Sequence, residues 1–339
     1  MLKDFIDIND FSEGELREIL DLAKILKSQL RTDITHNLLP RKNLAMIFEK
    51  PSTRTRVSFE AGINQLGGNS IILNINQMQI GKGESVSDTA KVMSRYVDLV
   101  MIRCKSHSVL EEFALNSKIP VINGLTDYSH PCQIMAAIMT FEENLNSIKG
   151  KKIAWIGDQN NVLNSYIHGA GIFGYRLDIS TPKELTSSAR EINKAKTHRH
   201  NVHYFQDPQK AVQDADIVVT DTWFSMGDGS IEDEKQKAHK AELLKPYQVN
   251  KKLFSLAKKD AIFSHCLPAY RGFEVTAEVI DSENSIVFYE AENRLHVQKA
   301  IMVWLHRRAN QPIASIRTIN NVYEIMKVTP PQNQRGIME

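Results

Sequence analysis

The chain has only three cysteines in 339 residues, Cys104, Cys132 and Cys266. They lie far apart and lack the spacing of a metal-ligand set or a disulfide framework, which points to a reducing cytosol. Strong charge of one sign is also missing. Against 42 basic residues stand 40 acidic ones, a formal net charge of +2. That is too mild to argue for nucleic acid or an anionic membrane, and no stripe of aromatics interleaves with the scattered lysines and arginines. No apolar run approaches the length needed to span a bilayer, and the segment after Met1 turns polar and amphipathic with no signal-peptide core. A cytoplasmic protein without nucleic-acid or membrane partners is expected.

What is present is an ordinary globular composition, 42% hydrophobic and 24% charged, over a length that suggests two domains, each with its own core. Strand-like runs alternate with helical patterns, which argues for parallel α/β architecture. In the first half the strands are expected at 44–48, 70–73 and 98–102, with a helix over 85–96. Ser147–Lys152 reads as a linker. The alternation then resumes with strands at 153–157, 176–179, 216–220 and 261–263. Gly169, Gly171 and Gly174 match the spacing of a dinucleotide fingerprint, but they end a helix and precede a strand, the reverse of what that fingerprint requires. No nicotinamide cofactor is expected. After Trp304 a further helix over 316–328 and a frayed polar tail are expected.

The most informative stretch is Phe48-Glu49-Lys50-Pro51-Ser52-Thr53-Arg54-Thr55-Arg56. It opens a helix in which Phe59, Ile63 and Leu66 recur at helical spacing and Gly67-Gly68 closes the run. A helix N-terminus offers unpaired N–H groups and a positive dipole end. Ser52, Thr53 and Thr55 add hydroxyls, and Arg54 or Arg56 adds a fork that matches phosphate. A capped helix with a basic first turn is the alternative, but cations there oppose the dipole unless an anion justifies them. A phosphate site is expected.

Further chemistry follows other strands. Arg103 ends the third strand, where ligands of parallel α/β folds sit. His130-Pro131-Cys132-Gln133 precedes an apolar helix and puts an imidazole and a carboxamide three residues apart. Asp158-Gln159-Asn160-Asn161 and Asp221-Thr222-Trp223-Phe224-Ser225-Met226-Gly227 follow buried strands of the second half, and an acidic strand end suits an amine-bearing ligand. His265-Cys266-Leu267-Pro268 follows another. Gln79 starts a Gly-flanked polar loop, and Arg294 lies in Glu292-Asn293-Arg294-Leu295-His296.

Ser-Thr-Arg-Thr-Arg resembles the carbamoyl-phosphate motif of the aspartate/ornithine carbamoyltransferase family, and the later motifs recur in that family's order. The resemblance implies two doubly wound α/β domains with parallel sheets, joined by interdomain helices. It implies a carbamoyl-phosphate domain over 1–147 and an ornithine domain over 148–310, whose last helix, about 292–310, packs back on the first. Residues 311–339 form an extension beyond it. Carbamoyl phosphate would be bound by Ser52, Thr53, Arg54, Thr55, Gln79, Arg103, His130, Gln133, Leu267 and Arg294, with Gln79 reaching into a neighbouring subunit's site. Arg103, His130 and Thr55 would polarise the carbamoyl oxygen, and Gln133 would hold its NH2. The Ser-Met-Gly loop and the His-Cys-Leu-Pro run resemble ornithine-specific members. That makes Asn161, Asp221, Ser225 and Met226 the amino-acid contacts, and Asp221 or Cys266 the group that takes the amine proton. The implied reaction converts carbamoyl phosphate and L-ornithine to L-citrulline and phosphate, with no metal or organic cofactor, in a homotrimer or a multiple of it. Putrescine or an acylated ornithine is the alternative acceptor, and a non-catalytic subunit is the alternative of another class.

Overall fold

The computed structural model describes residues 3–80, 82–185, 201–224 and 234–310. Two all-parallel sheets carry the fold. The first holds β1 (Asn43–Phe48), β2 (Asn69–Asn74), β3 (Leu99–Arg103) and β4 (Val121–Leu125) in the order β2-β1-β3-β4. The second holds β5 (Lys152–Ile156), β6 (Arg176–Ser180), β7 (Val202–Phe205), β8 (Ile217–Val219) and β9 (Ile262–Ser264) in the order β7-β6-β5-β8-β9. Each sheet reverses direction beside its first strand, between β1 and β3 and between β5 and β8. Such switch points open crevices at the carboxyl ends of the strands, the usual ligand seat of a doubly wound sheet.

Two strands lay outside the sequence reading. In β4 the Asn123-Gly124 pair looks like a turn. Gly124 is there because a Cβ would run into Met101 Sδ on the neighbouring strand. At the sheet edge β7 is only partly buried and lacks a clear alternation.

Helices join the sheets: α1 (Glu13–Arg31), α2 (Thr53–Gln65), α3 (Val86–Tyr96), α4 (His107–Asn116), α5 (Pro131–Leu145), α6 (Asn161–Phe173) and a last long helix, Val287–Asn310. That last helix packs against α1, α5 and α2, and it begins at Val287, ahead of the start near 292 read from the sequence. Its first turn exposes Phe288 (70%) and Tyr289 (58%), so the apolar period that betrays a helix is absent there. One buried cluster runs from Leu44 and Met46 of β1 through α1, α5 and the last helix to Trp155, Ile217 and Ile262 of the second sheet. The crevices of the two sheets are therefore held against one continuous core.

The Gly-rich decoy lies where the sequence placed it. Gly169 is inside α6, where a Cβ would meet Tyr175 Oη, and Gly174 caps the helix at φ +70° before β6. The expected helix at 316–328 and the rest of 311–339 lie outside the described residues.

Candidate active site

Both switch points open onto one cleft. From the first sheet it is lined by Ser52, Arg54, Arg103, His130 and Gln133, with Arg294 from the last helix. Facing them from the second sheet are Asn161, Asp221, Cys266 and Leu267. Ser52 is the N-cap of α2, yet its side chain makes no capping hydrogen bond, which leaves the first-turn N–H groups open to a ligand.

Thr55, in the first turn of α2, is fully buried, and its Oγ1 accepts from Arg103 Nη1 at 2.9 Å and Arg294 Nη2 at 3.1 Å. Arg294 Nε has no partner. Burial, reinforced by the Arg294 and Arg54 charges, pushes Arg103 down to about 10. Burial lowers Arg294 as well. Both remain charged at neutral pH, a cationic wall suited to an anion. Thr53 is exposed and turns to a neighbouring depression with Val57, Ala291 and Leu295, because successive helical residues point about 100° apart. Gln79 is exposed and is not among the residues lining this chain's own cleft.

His130 is the N-cap residue of α5, with Pro131 at the first helical position. Its ring is buried and Nδ1 has no partner. Burial, with Arg294 and Arg103 nearby, drives its pKa well below the usual histidine value, so the imidazole is neutral. Helix α6 holds this loop along one face. Asn161 Nδ2 donates to Thr126 O (2.6 Å), Asn164 Nδ2 to Tyr128 O (2.9 Å), and Ser165 Oγ accepts the His130 N–H (2.8 Å). These residues are three and four apart, so a single helical stripe meets a single loop.

Across the cleft, Asp221 Oδ2 accepts from Asn160 Nδ2 at 2.7 Å, and Oδ1 accepts from Thr222 N at 2.8 Å and from Cys266 Sγ at 3.0 Å. Burial first, then the Asp221 carboxylate, pushes the Cys266 thiol well above its ordinary range. It is therefore a protonated donor to Asp221. Leu267 follows with a left-handed backbone, φ +58°, and its N–H donates to His265 Nδ1 at 2.8 Å. Asp221, His265 and Cys266 each place one ligand-type atom within 4.8 Å of the others. However, the His265 Nδ1 lone pair is spent on Leu267, and Nε2 faces Glu274 at 3.4 Å. The site residues Ser225 and Met226 lie outside the described residues.

Residues 3–143 match the family described as aspartate/ornithine carbamoyltransferase, carbamoyl-P binding domain, and residues 149–305 match its Asp/Orn binding domain. The chain belongs to the aspartate/ornithine carbamoyltransferase family. This family member is 53% identical to the ornithine carbamoyltransferase of Rhodopseudomonas palustris over 305 residues, covering 90% of this chain and 96% of that one. Among solved structures it is similar to the ornithine carbamoyltransferase of Pyrococcus furiosus, with TM-score 0.84, 43% identity and coverage of 88% and 96%. The anabolic ornithine carbamoyltransferase of Campylobacter jejuni gives TM-score 0.83 and 39% identity over 91% and 100% of the two chains.

Some residues of this carbamoyltransferase-family cleft escaped the sequence reading. Asn160 sits in the motif at 158–161, but its work as N-cap of α6 and brace of Asp221 follows only from the turn geometry. Glu290 was passed over entirely. It is buried, receives Gln133 Nε2 at 2.5 Å and also the Ser264 hydroxyl. Its one signal was the helical i, i+4 spacing to Arg294.

Proposed function

We propose that this chain is an ornithine carbamoyltransferase, converting carbamoyl phosphate and L-ornithine to L-citrulline and phosphate. One observation carries the reading: the Arg54, Arg103 and Arg294 wall faces the Asp221–Cys266 pair across a single cleft. The wall suits a phosphate and the pair suits an amine.

In this mechanism Ser52, Arg54, Thr55, Arg103 and Arg294 hold the phosphate, with Thr53 contributing through the open N–H groups at the α2 start rather than its outward-turned side chain. Thr55, Arg103 and His130 polarise the carbamoyl oxygen, and Leu267 closes the far wall. The Gln133 oxygen is unpartnered because its NH2 is spent on Glu290, which supports its role as acceptor for the carbamoyl NH2. The δ-amine must attack as the free base although an alkylammonium ionises near about 10.4. The poorly solvated cleft lowers that value. Asp221 orients the amine and takes its proton, while the Cys266 thiol, already donating to Asp221, serves as its brace. Asn161 contacts the amino-acid end, with Ser225 and Met226. Attack then gives a tetrahedral oxyanion, and loss of phosphate leaves citrulline. Each preorganised donor at such an oxyanion is worth about 2.7–4 kcal/mol.

The reading divides the chain into a carbamoyl-phosphate domain over 1–147, an ornithine domain over 148–310 and an extension over 311–339, consistent with family matches over 3–143 and 149–305. The reading carries a homotrimer or a multiple of it, in which the loop bearing the exposed Gln79 completes a neighbour's site. Among the described residues no helix is long and apolar enough to cross a membrane, and the free cysteines suit a cytoplasmic location.

The test is carbamoyl transfer from carbamoyl phosphate to a panel of ornithine, putrescine, N-acetylornithine and aspartate. Ornithine is expected to dominate. Preference for another acceptor, or transfer to none, overturns the reading.

A further inference from the structure

Glu290 is a buried carboxylate with no part in the chemistry above, and its two partners come from opposite sides of the cleft. Gln133 belongs to α5 behind the first sheet, and Ser264 ends β9 of the second, two residues before Cys266. A carboxamide can present either its oxygen or its NH2 to a neighbour, and nothing in its shape decides which. An ionised carboxylate decides, because it only accepts. Burial pushes Glu290 up, and the Ser264 and Gln133 hydrogen bonds with the Arg294 charge pull it back toward that form. Glu290 therefore takes the NH2 of Gln133 and leaves Oε1, a buried and unpartnered oxygen, in the wall of the cleft. An unsatisfied buried acceptor rewards a ligand that brings an N–H and penalises one that brings a methyl group.

We propose that Glu290 is a positioning residue that fixes the orientation of the Gln133 carboxamide and thereby makes the cleft select carbamoyl over acyl phosphates. This rests on the carbamoyltransferase reading. The selected feature is the donor's NH2, the one group that separates carbamoyl phosphate from acetyl phosphate at nearly equal size and charge.

The experiment measures KM for carbamoyl phosphate and the inhibition constant of acetyl phosphate, with ornithine as acceptor, in the full-length protein. In Glu290→Gln the neighbour at 290 can donate as well as accept, so it no longer dictates the amide. The ratio of the two constants is expected to narrow about tenfold, the scale of one hydrogen bond, while KM for ornithine moves less than about twofold. The exchange variant Gln133→Glu with Glu290→Gln puts an acceptor-only group on the cleft side and a donor behind it. It is expected to restore the ratio to within about threefold of the wild type. Because it keeps net charge and the buried contact, it also reads the proposal if Glu290→Gln alone fails to fold. An unchanged ratio in Glu290→Gln, or an exchange variant that does not regain selectivity, overturns the proposal. Failure of the wild-type protein to carbamoylate ornithine instead strikes the underlying functional reading.

Discussion

Arg103 and Arg294 converge on a single oxygen, Thr55 Oγ1, at 2.9 and 3.1 Å. A hydroxyl has two lone pairs and one proton. With both lone pairs taken by guanidinium N–H groups, Thr55 is left with only its proton to offer.

Thr55→Val keeps the shape and removes both functions. The value of kcat/KM for carbamoyl phosphate is expected to fall about 10²–10³-fold, the usual loss for one oxyanion donor. Steady-state rates with ornithine saturating would show it. A loss under about threefold would mean that the two guanidiniums hold their positions without Thr55.

The state of Cys266 separates two accounts of proton removal. Burial and Asp221 raise its thiol well above the ordinary cysteine range, so it stays protonated through the neutral range. Cys266→Ser preserves a donor to Asp221 and should keep activity within about tenfold at pH 8, whereas Asp221→Asn should lose about 100-fold or more. Alkylation of Cys266 by iodoacetamide should stay slow up to pH 9 and rise only above it. Fast alkylation at pH 7 would establish a thiolate and reverse the assignment.

The stripe on α6 predicts a positional effect. Ser165→Ala leaves the His130 N–H buried without its acceptor, a cost of about 1–3 kcal/mol. The loop that aims His130 should relax, lowering kcat about tenfold with little change in KM for ornithine. A variant with unchanged kcat and only a lower melting temperature would reduce Ser165 to a purely structural contact.

Acid should destabilise the fold through buried histidines, His36 and His296 among them. Burial and the Lys299 charge push His36 down to about 4, and burial first and then Lys299 do the same to His296. Between about pH 6.5 and 4 the unfolded chain binds protons on these rings that the folded chain refuses. Their contribution is therefore full above 6.5 and is lost as pH falls. Asp4, raised to about 6 mainly by burial, acts the opposite way over part of that window. The melting temperature at pH 4.5 should lie below that at pH 7, and His36→Asn should narrow the gap. A gap of equal size in that variant would remove His36 from the account.

The sequence by itself determined the parallel α/β class, the phosphate turn opening α2 and the strand ends that carry Arg103, Asp221 and Cys266. Those signals are local: apolar periodicity, cap chemistry and a strand-to-loop boundary are all written within a few residues. Tertiary structure alone decided the rest. That Arg294 reaches across 239 positions to Thr55, that the protonated Cys266 gives its hydrogen to Asp221, and that Glu290 orients Gln133 across 157 positions depend on two sheets brought face to face around one core. The strand β4 and the first turn of the last helix were hidden for the same reason. Their residues answer to neighbours such as Met101 or to exposed surface, and propensity along the chain carries no record of either.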